Sequence, residues 1–312
     1  MKKLVVYREQ VVGVDVQIAV VIPTYNRAHL IGRAIESVLE QSISAVEIIV
    51  VDDGSTDNTK AVVSAFGDAV TYIFQENAGS AVARHTGMER SFCHWVALLD
   101  SDDIWFEDHL ERLTAVIQKT SGQARFYFAN TIQPDKESFW GRRDFTIVGE
   151  YELKRDATEW VMKRRQPMLL QSTIFNRAAY FESGGFLAPL RFRDDTHLFL
   201  KLGLGGAACA VAGYSTQMTA DDDPENRLTL THDKHNARGN VMQVIMFRDL
   251  LQRFSALGGD TRRELTRRLA AAHLGLAKHA MRERRIGTAV WQLMQSLFVD
   301  PRVILTRTVR KQ

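Results

Sequence analysis

The chain has 312 residues, 45% of them hydrophobic and 25% charged, with a net charge of +3. These are ordinary globular values, and they exclude disordered, collagen-like and disulfide-framework proteins. Two cysteines far apart in sequence, Cys93 and Cys209, suit neither a disulfide scaffold nor a zinc site and fit a reducing, cytoplasmic compartment.

Residues 1–15 read as a leader in which Arg8, Glu9, Gln10 and Asp15 interrupt any signal-peptide core. No apolar run approaches the ~18 residues of a membrane-crossing helix. Val16 to Ile22 is a strand candidate. It is ended by the turn Pro23-Thr24-Tyr25-Asn26-Arg27 and followed by an amphipathic helix from about Ala28 to Gln41. Val46 to Val51 is the next buried strand, stopping at Asp52-Asp53-Gly54-Ser55-Thr56-Asp57, where Gly54 gives turn freedom and the hydroxyls or Asp57 can cap a helix to about Phe66. Val70 to Phe74 is a third strand. A helix from about Ala81 to Arg90 and a fourth strand, Trp95 to Leu99, complete the series. Strands alternating with helices at this spacing imply right-handed crossovers and a parallel sheet covered on both faces, with ligands at the carboxyl edge.

That fourth strand runs straight into Asp100-Ser101-Asp102-Asp103. Carboxylates spaced Asp-x-Asp on a tight turn can bind a hard divalent cation whose remaining positions go to water and phosphate oxygens. The alternative is an Asx turn that caps the helix expected from Phe106 to about Lys119. Neither a dinucleotide Gly-x-Gly-x-x-Gly after the first strand nor a phosphate-loop Gly-x-x-x-x-Gly-Lys-Ser/Thr is present, and Gly203 to Gly206 reads as a helix stop.

Four segments, Val20 to Arg27, Ile48 to Asp57, Asn77-Ala78-Gly79 with Ala83-Arg84, and Leu98 to Asp103, resemble family 2 glycosyltransferases in order and spacing. The resemblance covers about residues 16 to 215. It implies an α/β GT-A fold, a mostly parallel nucleotide-binding sheet flanked by helices. It further implies that Pro23, Thr24, Tyr25 and Asp53 hold the nucleotide, Asp53 reading a base N–H as uracil offers. Arg84 would lie near the base or diphosphate, Asp100 and Ser101 by the donor, and Asp102, with Asp100, on Mg2+ or Mn2+. Downstream, Ser172 to Phe175, Gly184-Gly185-Phe186 and Arg193-Asp194-Asp195-Thr196-His197-Leu198 resemble the acceptor half, which makes Asp195 the general base of an inverting transfer. Asp194 and Asp195 also suit the N-terminus of a helix from Thr196 to Leu202.

Between the halves, Phe126 to Asn130 resembles the next strand. Phe139, Trp140, Phe145, Tyr151 and Trp160 are either core anchors or sugar platforms, and Gln166 to Leu170 is expected near the acceptor. The family often has a histidine-bearing loop after its last strand, but here Gly213 to Pro224 departs from it; His232 and His235 could approach the metal, and Asp221 to Asp223 suits a solvated turn. From about Asn236 the pattern is helical: one stripe from Val241 to Phe254, then Thr261 to Arg282 and Ile286 to Phe298. Residues 227–312 carry 17 Lys/Arg against 6 Asp/Glu, leaving the first 226 residues at −8.

The expected organisation is a leader (1–15), a glycosyltransferase domain (16–225, its nucleotide-sugar half 16–130 and acceptor half 131–225) and a basic helical region (226–312). The expected partners are a nucleotide-sugar donor, UDP-linked by preference, and a glycan or lipid-linked acceptor. The basic helices would make a peripheral contact with the cytoplasmic membrane face or a homodimer; no nucleic acid is expected. Two rivals remain at this point: a nucleotide-sugar-binding scaffold without turnover, and a sugar-phosphate nucleotidyltransferase.

Overall fold

A computed structural model describes residues 16–190, 192–219 and 237–303. The leader, Asp221 to Asp223, His232 and His235 lie outside the described residues.

The first half follows the hydrophobic pattern closely. Strands β1 (Ile18–Thr24), β2 (Glu47–Asp52), β3 (Thr71–Phe74) and β4 (Trp95–Leu98) alternate with helices α1 (Ile31–Leu39), α2 (Thr59–Ser64) and α3 (Ser80–Arg90). All of β1 is buried, as a parallel strand covered on both faces must be. Its alternating side chains enter two cores: Ala19 and Val21 join Ala83 and Met88 of α3, while Ile18, Val20 and Ile22 join Ile31, Ala34, Ile35 and Val38 of α1. β1 is paired in parallel with both β2 and β4, and β2 with β3, so all four strands end at the same edge of the sheet.

Two helix starts fall later than their periodicity suggests. The helix expected from Ala28 begins at Ile31, because the amides of Asn26, Arg27 and Ala28 are held by Ser55 Oγ, Thr59 Oγ1 and Asp57 Oδ2 at 2.8, 3.1 and 3.1 Å. α4 (His109–Lys119) begins beyond Phe106 because β5 (Ile104–Trp105) is drawn into the sheet and the Phe106 amide donates to Ser215 O at 3.1 Å.

The second half adds β6 (Phe126–Ile132), β7 (Tyr151–Lys154), α5 (Thr158–Val161), β8 (Thr173–Asn176), α6 (Arg177–Glu182), α7 (Asp194–Gly203) and β9 (Ala208–Gln217). The strand order is β3-β2-β1-β4-β8-β6-β9-β5, with β7 also paired to β9. β8 inserts antiparallel between β4 and β6. β8 ends opposite Trp95, at the start of β4, and the chain beyond α6 returns to the other edge, where Asp194 and Asp100 share Arg84.

The aromatic residues of the insertion are core. Trp140 and Trp160 pack edge-on against both Phe128 and Phe145, and Phe145 lies tilted beside Phe128, with ring centroids 4.9–5.9 Å apart; Phe139 is buried as well, so these rings anchor the insertion. Met168 and Leu170 of the expected acceptor stretch are buried in the same cluster, which leaves Gln166 and Leu169 half-buried.

Helices α8 (Ala237–Arg253), α9 (Gly259–Arg282) and α10 (Ile286–Val299) form the C-terminal region. Val244, Phe247 and Leu250 of α8 and Leu265 and Leu269 of α9 share a core with α3 and α7, so these two helices are built onto the sheet domain. Among the described residues no helix is long and apolar enough to cross a membrane.

Candidate active site

Three loops at the sheet edge are sewn together by short side chains. Asp52 is fully buried; it accepts from the Ser55 amide at 2.8 Å and the Tyr72 hydroxyl at 2.7 Å, and so shapes the turn after β2. Gly54 takes a left-handed φ of +86°, and a Cβ there would lie 2.9 Å from the Asn77 amide nitrogen, a close approach only glycine permits. Asn26, itself at φ +50°, accepts from the Thr56 amide at 2.8 Å. Asp53 accepts from Gln75 Nε2, the Ala78 amide and the Gly79 amide at 2.7, 2.9 and 2.7 Å. Its carboxylate thus clamps the loop that opens α3, keeping one acceptor position on Oδ2. Beside it, Pro23 and Thr24 are buried and Tyr25 is exposed.

The turn after β4 is closed by the Asp103 amide donating to Asp100 O at 3.0 Å. Asp103 is 5% exposed and is held by Gln171 Nε2 at 2.8 Å and the Thr219 amide at 3.1 Å. Burial, reinforced by the charges of Asp102 and Asp100, pushes its pKa well above the usual carboxylate range. Ser101 is buried, while Asp100 and Asp102 remain half-buried. Neither Asp100 nor Asp102 caps α4: β5 intervenes, and the N-cap of that helix is Asp108. The capping alternative is therefore set aside on geometry.

Arg84 joins this turn to the start of α7. Lying 8% exposed on α3, it donates through one terminal nitrogen to Asp100 Oδ1 at 2.6 Å and through the other to Asp194 Oδ2 at 2.9 Å. The ring of Phe186 lies 5.9 Å from the guanidinium carbon. Burial alone would lower the Arg84 pKa, but Asp100 and Asp194 raise it, so the cation is firmly protonated. One guanidinium serves several carboxylates. Burial, partly offset by Arg84 and increased by Asp195, pushes the Asp194 pKa up.

Gly184-Gly185-Phe186 places these partners. Both glycines have positive φ, and the Tyr180 hydroxyl accepts from the Phe186 amide at 3.1 Å. Arg193 then takes φ +65°, and α7 starts with Asp194 and Asp195 in its first turn. Asp195 is half-buried and accepts from the Thr196 amide at 2.5 Å. The helix is fixed from behind by His197 Nε2, 2.9 Å from Asp249 Oδ2 on α8, and by Lys201, whose ammonium donates to Gly185 O.

The structure thus brings Asp100, Arg84, Asp194 and Asp195 together. Pro23 to Tyr25 and Asp53 lie in the neighbouring loops, which the Asp53 amide joins by donating to Thr24 O at 2.9 Å. Sequence reading named Arg84 and Asp194 separately without finding their contact, and it missed Gln171, Tyr180, Phe186's stacking role and Asp249. No local pattern marks a pair separated by 110 positions.

Among the described residues no group of three His, Cys, Asp or Glu side chains could cage a metal ion. The donor set instead fits a hard divalent cation that takes one or two carboxylates from the protein and completes its shell with water and substrate phosphates. Asp102 and Asp100 are the two candidates, since Asp103 is turned into hydrogen bonds with Gln171 and Thr219.

Comparison with known proteins agrees with this architecture. The chain is 42% identical over 106 residues to an uncharacterized glycosyltransferase of Nostoc sp., covering 33% of each chain. It is 37% identical over 109 residues, 34% of this chain and 43% of the relative, to an Escherichia coli protein named UDP-Glc:alpha-D-GlcNAc-diphosphoundecaprenol beta-1,3-glucosyltransferase WfgD. The aligned segment therefore spans less than half the length of these relatives. In fold, the chain resembles S. aureus TarS 1-349 in complex with UDP-GlcNAc, with a TM-score of 0.61 and 17% identity over 90% of this chain and 79% of that one. It also resembles the Pyrobaculum calidifontis mannosyltransferase PcManGT in complex with GDP-Man and Mn2+, with a TM-score of 0.55 and 20% identity over 95% and 79% of the two chains. The family described as Glycosyl transferase family 2 matches residues 19–181, more than half of the sequence, and the chain belongs to that family.

Proposed function

We propose that this protein is an inverting glycosyltransferase that moves a sugar from a nucleoside-diphosphate donor, UDP-linked by preference, to a hydroxyl of a glycan or lipid-linked glycan. The observation that carries this reading is the Arg84 bridge, which holds Asp100 and Asp194 on one guanidinium; it supports a single site in which Asp195, next to Asp194, faces a donor held by the loops after β1, β2 and β4. The names of the E. coli relative and of the UDP-GlcNAc complex support the choice of donor.

On this reading the loop Pro23 to Tyr25, Ser101 and Asp53 receive the nucleotide, with the remaining Asp53 acceptor position suited to a base N–H. Asp102, with Asp100, would hold Mn2+ or Mg2+, which when bound neutralises the departing diphosphate. Asp195 takes the proton of the acceptor hydroxyl as its oxygen attacks the anomeric carbon from the face opposite the leaving group. Arg84 keeps Asp194 and the first turn of α7 in place, and its positive charge lies where donor phosphates would compete for it. A lipid-linked acceptor suits work at the cytoplasmic membrane face, with the basic helices as the contact.

The test is a panel of UDP-, GDP- and dTDP-sugars with Mn2+ or EDTA, read by thermal shift and by turnover. Expected is metal-dependent stabilisation by one donor, lost in Asp102→Asn. Asp195→Asn should bind that donor and lose transfer or donor hydrolysis by about 100-fold or more. If no nucleotide sugar stabilises the wild type under either condition, the reading fails.

A further inference from the structure

Helix α10 is built inside out. Against α9 it buries Ala289 and Ser296, whose hydroxyl donates to Ala270 O at 2.8 Å, and Gln292 Oε1 lies 2.7 Å from His273 Nδ1. Toward solvent it presents Ile286 at 65%, Val290 at 50%, Trp291 at 53%, Met294 at 63% and Phe298 at 89% exposure. At 100° per residue these side chains fall within one broad face of the helix, and Met281 at the end of α9 is exposed as well. Apart from Val299 at its end, which reaches the core, the helix meets α9 through alanine, serine and glutamine and leaves these large apolar side chains uncovered. An exposed apolar face of this kind marks an interaction site.

Charge chooses the partner. The fourteen residues of α10 include no ionisable side chain. Arg282, Arg284 and Arg285 precede it, accompanied by Glu283, and Arg302 follows, paired with Asp300. Arg302 also lines a cleft of about 550 Å³ with Arg262 and Arg263 at the start of α9. An apolar strip with cations at both ends complements the acyl chains and phosphates of an anionic bilayer. A second copy fits less well: antiparallel pairing would set the arginines before α10 against Arg302 of the other copy, and parallel pairing would set each cluster against itself.

We propose that the α10 face, centred on Val290, Trp291, Met294 and Phe298, is a docking surface for anionic phospholipid membranes, with the flanking arginines engaging headgroup phosphates. This deepens the membrane contact proposed above by assigning it to one face of α10, and it is tested apart from the transferase chemistry, because binding can be read without donor or acceptor.

Trp291 gives a direct signal, since the other four tryptophans, Trp95, Trp105, Trp140 and Trp160, are at most 6% exposed. The full chain is titrated with vesicles of phosphatidylcholine alone or with 30% phosphatidylglycerol, followed by co-sedimentation and by quenching with brominated acyl chains. Expected is binding to the anionic vesicles with a blue-shifted, quenched Trp291 emission. The triple variant Val290→Ser, Met294→Ser, Phe298→Ser should bind at least tenfold more weakly. Arg282→Gln with Arg285→Gln should weaken binding to anionic vesicles severalfold and leave phosphatidylcholine binding unchanged. Unchanged circular dichroism and donor-sugar hydrolysis in these variants keep a folding defect apart from a docking defect; if the wild type hydrolyses no donor yet binds vesicles, it is the transferase reading that has failed. The proposal is overturned if the wild type ignores both vesicles at low salt, if the triple variant binds as well as the wild type, or if Trp291 stays unquenched. It is equally overturned if the wild type is a dimer that the triple variant turns into a monomer without any vesicle binding.

Discussion

Replacing Arg84 with methionine tests whether the site is held together by its bridge. The substitution keeps the aliphatic stem and removes the cation shared by Asp100 and Asp194, whose side chains are 29% and 11% exposed. Breaking a buried pair by removing one partner costs about 3–5 kcal/mol. Asp100 can regain water at its exposure, so the lasting penalty is that of Asp194, and about 2–3 kcal/mol is the appropriate share. For a chain of this length that corresponds to a loss of roughly 3–5 °C in melting temperature. Adding Asp194→Asn to Arg84→Met removes the stranded buried charge and should recover more than half of the loss, a coupling of about 1–2 kcal/mol in a double-mutant cycle. Arg84→Lys should rescue only in part, because an ammonium lacks the planar fork that reaches both carboxylates. The assay is urea unfolding followed by circular dichroism at pH 7.5. Strict additivity of the Arg84 and Asp194 substitutions, or an Arg84→Met variant within 0.5 kcal/mol of wild type, would refute the bridge as the element that joins the two halves.

Two further expectations concern the scaffold. His109 is fully buried and stacks on Trp105 at 4.0 Å, and burial, reinforced by Arg112, holds its pKa down at about 3 against an ordinary 6.5. The unfolded chain therefore takes up a proton below pH 6.5 that the folded chain refuses, so stability falls with pH by about 2 kcal/mol between 6.5 and 5; His109→Phe should keep the ring packing and flatten that slope, and an unaltered slope in pH-dependent melts would disprove the assignment. Gly87 lies where α3 crosses β1, and a Cβ there would sit 2.2 Å from Val21 Cγ1. Gly87→Ala should cost about 1–3 kcal/mol by overpacking and weaken donor binding by shifting Arg84 on the same helix; Val21→Ala in the same chain should restore both, and failure to restore either would show that the contact is not what holds α3 in place.

The first half of the sheet was legible because its information is local. Each of the first four strands is a run of apolar residues, and each ends at a chemically marked turn such as Asp52-Asp53-Gly54 or Asp100-Ser101-Asp102. The helix starts were less legible, since periodicity registers where apolar residues recur but not that Asp57 and Ser55 have already engaged the amides of Ala28 and Asn26. Ser172 to Phe175 stood out as a motif but not as a strand, because the four residues of β8, Thr173 to Asn176, carry too little pattern, and its position between β4 and β6 is a fact of pairing that only the folded sheet reveals. The insertion's aromatic rings posed a real choice between core and sugar platform, and their mutual edge-on packing decides it for the core.

The same limit explains α10. Its apolar residues recur at helical spacing just as those of α1 do, and that recurrence says only that one face of the helix differs from the other. In α1 the apolar face is buried, with Ile31, Ile35 and Val38 at most 1% exposed, whereas in α10 Phe298 is 89% exposed. What separates them is the neighbour. α1 lies on a sheet surface of Val20 and Ile22 that only apolar side chains can fill, while α9 meets α10 with Ala270 O and the His273 ring, which require partners such as Ser296 and Gln292. Polar demand from one side has turned the apolar side outward, and the cationic segments at its two ends are consistent with a partner that carries negative charge above a hydrocarbon interior.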